Sequence, residues 1–276
     1  MLSPSDVSAR RRAFRQLHES GCFVIPNPWD IGGARYLRGL GFKALATTSS
    51  GAAWRHGKAD GRMPVEDVLV HLREMVTATD LPVNADFEHG FAPDAAGVAR
   101  NVRLAVDTGV AGLSIEDSTG DADQPLFDID AAVERMRAAR GAIDETGGET
   151  LLVGRAENFS LGRPDMDDTI RRLQAYAEAG ADCLYAPGIK TREQIAAVVA
   201  AVAPKPVNLL VGFASELTVS DIEALGVRRV SVGGALARTA WGGFMRAAQT
   251  IATQGRFDGL AAAAAGAELN AFFREP

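Results

Sequence analysis

Leu81-Pro82-Val83-Asn84-Ala85-Asp86-Phe87-Glu88 and Gly112-Leu113-Ser114-Ile115-Glu116-Asp117 decide how this chain folds. Each is an apolar run of buried-strand length that closes on two carboxylates. Ionised carboxylates are costly to bury unless they are paired or hold a cation. A divalent ion bound by oxygen ligands at the strand ends accounts for both clusters. Acidic loops that cap the following helices account for one such cluster easily and for two with more effort.

Outward from these two runs the same alternation continues through nearly the whole sequence. Strands are predicted near Phe23 to Pro26, Lys43 to Thr48, Pro82 to Asp86, Gly112 to Asp117, Leu151 to Arg155, Asp182 to Ala186, Pro206 to Val211 and Arg228 to Gly233. Helical patterns start near Ile31, Val65, Asp94, Ile129, Asp165, Arg192, Thr218 and Ala235. In the segment from Asp94, Val98, Val102, Ala105 and Val106 make one apolar stripe at helical spacing. Gly109, Gly180 and Gly226 precede the fourth, sixth and eighth strands, where a helix must stop and the chain turn inward. Pro82 and Pro206 cannot continue a helical ladder and mark strand starts.

Eight βα units of this size predict a parallel (β/α)8 TIM barrel. A doubly wound sheet would usually carry a glycine-rich turn after its first strand, and Pro26-Asn27-Pro28-Trp29-Asp30 is unlike one. No Pro/Gly/Ser-rich linker divides the chain, so a single barrel domain is expected over 1–276. A helical extension starts at about 235, and its apolar excess as far as Phe273 points to oligomerisation.

The 276 residues, 47% hydrophobic and 23% charged, can bury a substantial core. A net charge of -6 offers no basic face to a polyanion, which argues against a nucleic-acid partner. Arg10-Arg11-Arg12, the one dense basic run, reads as the solvated face of a terminal helix. There is no apolar signal core at the start and no run of about 18 apolar residues, so a cytoplasmic protein with no membrane role is expected. Cys22 and Cys183 lie far apart without ligand-spaced neighbours and read as buried free thiols.

A barrel of this class places its chemistry at the C-terminal ends of the strands. Those positions hold Ser49, Ser50, Gly51 and Ala52 with Asp60 further along the loop, then Asp86, Glu88 and His89, Glu116 and Asp117, Arg155 and Glu157, and Asn208 on the seventh strand. So many carboxylates at one mouth repel unless a cation, a proton or an arginine intervenes, and Mg²⁺ takes such ligands directly or through retained water. Arg155 fits a clamp for a substrate carboxylate or phosphonate, its planar fork matching either; an ion pair with Glu157 or Glu116 is the structural alternative. Ser49 to Ala52 could offer hydroxyl and backbone N–H groups to an oxyanion. No nucleophile elbow, P-loop or zinc-protease helix is present.

Taken in order, Pro28-Trp29-Asp30, Thr47-Thr48-Ser49-Ser50-Gly51, Asp60-Gly61, Asp86-Phe87-Glu88-His89-Gly90-Phe91, Ser114-Ile115-Glu116-Asp117 and Gly154-Arg155-Ala156-Glu157 resemble the isocitrate lyase/phosphoenolpyruvate mutase superfamily. The resemblance runs from Phe23 to about Phe244. It implies a (β/α)8 barrel whose last helix is often swapped between subunits of a homotetramer or homodimer, and a Mg²⁺ or Mn²⁺ ion that holds a 2-oxo acid. By motif, Asp86, Glu88 and Glu116 are the implied metal acids and Asp60 the acid of the second loop. Arg155 is the implied substrate arginine, Ser49 to Ala52 the carboxylate loop, and Asn208 the asparagine near the substrate.

One departure is informative. Isocitrate-type lyases of the family carry Lys-Lys-Cys-Gly-His after the fourth strand, whereas Ser118 to Pro125 contains no cysteine, lysine or histidine. The shared chemistry is C–C cleavage through an enolate, so the expectation is a Mg²⁺-dependent lyase for a small 2-oxo or 2-hydroxy di- or tricarboxylate. Retro-aldol cleavage, decarboxylation and hydrolysis stay open. A phosphonopyruvate-type mutase or hydrolase and a non-catalytic, metal-dependent 2-oxo acid binding protein are the alternatives.

Overall fold

The computed structural model describes residues 2–274 and contains the predicted barrel. Its parallel strands are β1 (Phe23–Ile25), β2 (Leu45–Ala46), β3 (Val83–Asp86), β4 (Gly112–Glu116), β5 (Leu151–Arg155), β6 (Cys183–Tyr185), β7 (Val207–Leu210) and β8 (Arg229–Ser231). They are ordered β1-β8-β7-β6-β5-β4-β3-β2. Between β1 and β2 the ring is drawn shut beyond the first strand, where Ala46 N donates to Pro26 O at 3.0 Å. Asn27 adds to that seam. Its amide donates to Thr47 O at 2.8 Å while its carbonyl accepts from Val232 and Gly233 N at 3.0 and 2.8 Å, tying the ends of β1, β2 and β8 together.

The helices are α1 (Pro4–Leu17), α2 (Ile31–Gly39), α3 (Ser49–Arg55), α4 (Val65–Ala78), α5 (Ala95–Val106), α6 (Ile129–Glu145), α7 (Met166–Glu178), α8 (Arg192–Val202), α9 (Val219–Ala224), α10 (Ala235–Gln254) and α11 (Gly266–Arg274). Their starts are chemically marked. Asp30, Asp94 and Asp165 accept from the N–H three residues on, and Thr191 and Thr218 form reciprocal capping boxes with Gln194 and Asp221. Outward-facing strand residues such as Leu113, Ile115, Leu152 and Val230 pack against Leu72, Val102, Met136 and Leu173 of the helix ring. Each such side chain contributes about 1.5–3 kcal/mol on burial, so this shell dominates stability. The barrel interior is a smaller cluster of Ile25, Ala44, Ala46, Val153, Cys183 and Tyr185, into which α1 inserts Phe14. A Cβ on Gly112, the first residue of β4, would stand 2.7 Å from Phe14 and 2.8 Å from Asn84 Oδ1, so only glycine admits this plug.

Two expectations are corrected. The basic run of α1 is not a solvated face: Arg11 is buried and donates to Val110 O and Val106 O at 3.1 and 2.8 Å, and Arg10 donates to Val76 O at 2.7 Å. Both arginines meet carbonyls in the last turns of α4 and α5, where the helix dipole favours a cation. Ser49 to Ala52 form the first turn of α3 where a loop was expected, with Thr48 in the N-cap position.

Residues up to Gly234 form one compact unit and those from Ala235 a second, made of α10, α11 and a 3₁₀ turn at Asp258–Leu260. In the second unit Phe244, Met245 and Phe257 are 63%, 60% and 67% exposed. No helix among the described residues is long and apolar enough to cross a membrane.

Candidate active site

The strand ends bring the predicted residues to one mouth. Asp86, last on β3, accepts from Ser49 N at 2.9 Å and from Arg155 Nη1 at 3.2 Å, and its own N–H is held by Thr47 Oγ1 at 2.9 Å. Glu116, last on β4, meets the same Nη1 at 3.1 Å, and Glu157 pairs with Arg155 Nε. The ring of Tyr185 lies under the guanidinium, 5.2 Å from centroid to Cζ. Both structural pairs that Arg155 could make are therefore made. Burial works against its charge, but Glu157 and Glu116 outweigh it and hold the guanidinium well above its ordinary value.

The acids are pushed the other way. Burial first, then the charges of Asp86 and Asp60, raise Glu88 to about 8. Burial and Asp86 raise Asp60, against hydrogen bonds from Ser49 and Gly61 N. Glu116 is raised by burial, which outweighs the relief from Arg155, with Glu157, Asp86 and Glu88 adding to it. Glu88 also sits at φ 43° and Phe91 at φ 53°, left-handed backbone that non-glycine residues adopt at a cost. The turn is held from outside by Arg135 of α6, which donates to His89 O and Ala92 O at 2.7 Å and to Pro93 O at 3.2 Å.

A cavity of about 140 Å³ opens here, lined among others by Ser49, Ser50, Asp60, Asp86, Arg155 and Arg229. Neither cysteine nor histidine lines it. Gly51 and Ala52 are buried behind the serines, and Ala52 faces a smaller void shared with His71, Asp86 and Glu88. Asn208 is fully buried beneath the cavity, donating to Ser231 Oγ at 3.0 Å and accepting from Arg229 Nε at 2.8 Å. Asp117 turns away from the mouth: it is buried against Tyr176 OH, Arg172 and Glu157 N at 2.6, 3.1 and 2.8 Å. Ser118 to Leu126 close on themselves through an antiparallel bridge, with Thr119 N on Pro125 O at 3.0 Å.

Asp86, Glu88 and Glu116 do not converge on one coordination sphere, and among the described residues no three metal-ligating side chains do. The donor chemistry nonetheless fits a hard cation. Asp60, Asp86, Glu88 and Glu116 share this mouth with Arg155, and Glu157 already takes part of its charge. Such a set suits a cation with few direct carboxylates and retained water better than a closed cage. Arg229, Asn84, Ser114 and Ser231 escaped the sequence reading. Their signal is the alternation of β3, β4, β7 and β8, which turns polar residues inward where a barrel usually packs aliphatic ones.

Residues 14–252 match the family model described as phosphoenolpyruvate phosphomutase. An oxaloacetate decarboxylase of Rhodopseudomonas palustris (strain BisB18) is 33% identical to the chain, covering 94% of it and 86% of the relative. A solved structure from Burkholderia cenocepacia J2315, provisionally described as a lyase/mutase, superposes with a TM-score of 0.94 at 47% identity over 98% of both chains. Oxaloacetate acetylhydrolase in complex with its product oxalate superposes with a TM-score of 0.83 at 26% identity, covering 96% of this chain and 94% of that one.

Proposed function

The chain belongs to the phosphoenolpyruvate phosphomutase family, and from that premise we propose that it is a Mg²⁺-dependent carbon–carbon lyase that decarboxylates a small 2-oxo dicarboxylate of the oxaloacetate type. The observation that carries this reading is the mouth itself, where Asp86 and Glu116 share Arg155 beside a cavity sized for a small acid. The R. palustris relative named as an oxaloacetate decarboxylase supports the substrate class.

Asp86 would hold the ion directly, with Glu88, Glu116 and Asp60 acting through water. When bound, such an ion supplies Lewis-acid charge beside a developing enolate oxygen. The chain's own residues do the rest. Arg155 places fixed positive charge at the same oxygen, and its pairing with Asp86, Glu116 and Glu157 sets that charge before substrate arrives. Ser49 and Ser50 offer hydroxyls at the cavity wall. As the C3–C4 bond breaks, its electron pair moves to the 2-oxo group and CO₂ leaves. A proton is then taken up at C3, and with no thiol or imidazole on the cavity wall the candidate donors are solvent, a carboxyl group and the Tyr185 hydroxyl.

Oxaloacetate, methylisocitrate and phosphonopyruvate, each offered with Mg²⁺ and with chelator, test this, with release of pyruvate, and for phosphonopyruvate also formation of phosphoenolpyruvate, followed by coupled assays. Oxaloacetate turnover well above the rate with Asp86→Ala protein, abolished by chelator, is the expected result. Turnover of phosphonopyruvate alone would move the chain to the mutase or hydrolase side of its family. No turnover with retained ligand binding would leave a 2-oxo acid binding protein.

A further inference from the structure

Decarboxylation leaves an enolate that must be quenched at C3, and the cavity wall supplies few acids for the task. Its serine, threonine and asparagine groups are poor proton donors at neutral pH, and the guanidinium groups of Arg155 and Arg229 keep their protons. Asp86 must be ionised to hold the ion proposed for it. Asp60 and Tyr185 are the acids that remain on the wall. Asp60 accepts from Gly61 N at 3.1 Å and belongs with the metal acids. Tyr185 ends β6, in register with Arg155 on the neighbouring strand β5, and points into the barrel interior with Cys183 two residues before it. Its ring is held by the Arg155 guanidinium, 5.2 Å from centroid to Cζ, a cation–π contact that fixes the ring plane. Arg155 is the group that would face the enolate oxygen, and C3 is two bonds from that oxygen.

Burial pushes the Tyr185 phenol up to about 12, against Arg155 and a hydrogen bond from Ser231 and with Glu157 and Asp86 adding to it. The phenol therefore enters each turnover with its proton. Ser231 is itself held. Asn208 donates to Ser231 Oγ at 3.0 Å, which leaves the Ser231 hydroxyl hydrogen for the phenol oxygen, and Arg229 Nε fixes the Asn208 oxygen at 2.8 Å. With its oxygen accepting from β8, Tyr185 has its own hydrogen free for the cavity it lines. Phenylalanine would fill the same space and keep the ring contact, so packing does not call for the hydroxyl.

We propose that Tyr185 is the general acid that protonates C3 of the enolate, with Ser231 and Asn208 as positioning residues behind it. This rests on the decarboxylase reading of the same site and deepens it. The O–H bond of Tyr185 breaks and its hydrogen passes to C3, where the enolate double-bond pair forms the new C–H bond as the C2 carbonyl re-forms. The electron pair of the O–H bond stays on the phenolate, beside Arg155 and Ser231, until solvent returns a proton as pyruvate leaves.

In reverse, the same step removes a methyl hydrogen from pyruvate. The test is therefore exchange of the pyruvate methyl group for deuterium in D₂O with Mg²⁺, followed by proton NMR, alongside CO₂ release from oxaloacetate and calorimetric binding of oxalate. Wild type should exchange, and Tyr185→Phe should exchange at least about a hundredfold more slowly. CO₂ release by the variant should fall no more than about tenfold, because the enolate can leave and take its proton in solution, and oxalate affinity should stay within about threefold. Exchange within about threefold of wild type would overturn the inference and leave Asp60 or water as the donor. Exchange, CO₂ release and oxalate binding falling together would also overturn it, since the hydroxyl would then be structural. If Tyr185→Phe does not fold, Ser231→Ala serves: exchange should fall about tenfold with oxalate binding kept, and unaltered exchange is contrary. Wild type that releases CO₂ but exchanges no pyruvate hydrogen removes this inference alone. Wild type that does neither contradicts the decarboxylase reading and removes the inference with it.

Discussion

Arg155 faces three carboxylates from three different positions, and its worth lies in geometry as much as in charge. Arg155→Lys keeps the cation but cannot bridge Asp86 and Glu116 while meeting Glu157, so we predict a loss of about 10² to 10³ in kcat/KM with the fold retained. Activity within threefold of wild type would mean that the arginine is only a structural counter-ion. His18 makes a different prediction. Burial, with help from Arg229 and Arg15, pushes its folded-state value down to about 3 although Phe14 O accepts its hydrogen bond at 2.8 Å. An unfolded histidine titrates near 6.5, so below that pH the unfolded chain takes up a proton that the folded chain refuses. Stability should therefore fall as pH drops from about 6.5 toward 3. His18 stacks edge-on with Phe14 and Phe23, so His18→Phe retains a ring there, and the acid-side fall in melting temperature should be shallower in that variant. Parallel curves for the two proteins would show that His18 does not carry the effect.

At the scale of elements, the strained turn from Asp86 to Phe91 is held by α6 through Arg135, whose guanidinium also lies 4.3 Å over the ring of Phe127. Arg135→Met keeps much of the stem but leaves three carbonyls without their donor, and we predict roughly 3 kcal/mol lost from unfolding free energy together with reduced activity. A loss below 1 kcal/mol would show that water replaces the guanidinium. The loop from Ser118 to Leu126 should matter less: Asp121 and Asp123 are exposed and lie outside the cavity, so Asp121→Asn and Asp123→Asn should each stay within about threefold of wild-type activity. A loss as deep as that of Asp86→Asn would place the proton donor in this loop. The strands, the approximate helix starts and the strand-end acids were legible in the sequence because period and strand-end position are local signals. Glu116 and Asp117 show where that legibility ends: neighbours in sequence, they point to opposite sides of the barrel wall, a choice made by Tyr176 and Arg172 far along the chain. Arg229 was hidden for the same reason, since a charged residue inside a barrel strand gains meaning only from Asn208 on the neighbouring strand and Asn84 across the interior.

At the scale of the whole molecule, the apolar surface of the second unit argues for a partner subunit. Phe244, Met245 and Phe257 are too exposed for an isolated chain, and we predict a dimer or tetramer in light scattering, with Phe244→Glu shifting the mass downward. A monomeric wild type at micromolar concentration would contradict this. We propose that the barrel mouth binds a 2-oxo acid through a divalent ion held by Asp86. Titration of oxalate into wild-type and Asp86→Ala protein, each with Mg²⁺ and with chelator, tests it most directly. Tight binding to wild type with Mg²⁺, falling by at least about a hundredfold with chelator or in Asp86→Ala, is the predicted result. Equal oxalate affinity with and without Mg²⁺ in wild type, or Mg²⁺-dependent binding undiminished in Asp86→Ala, would contradict it.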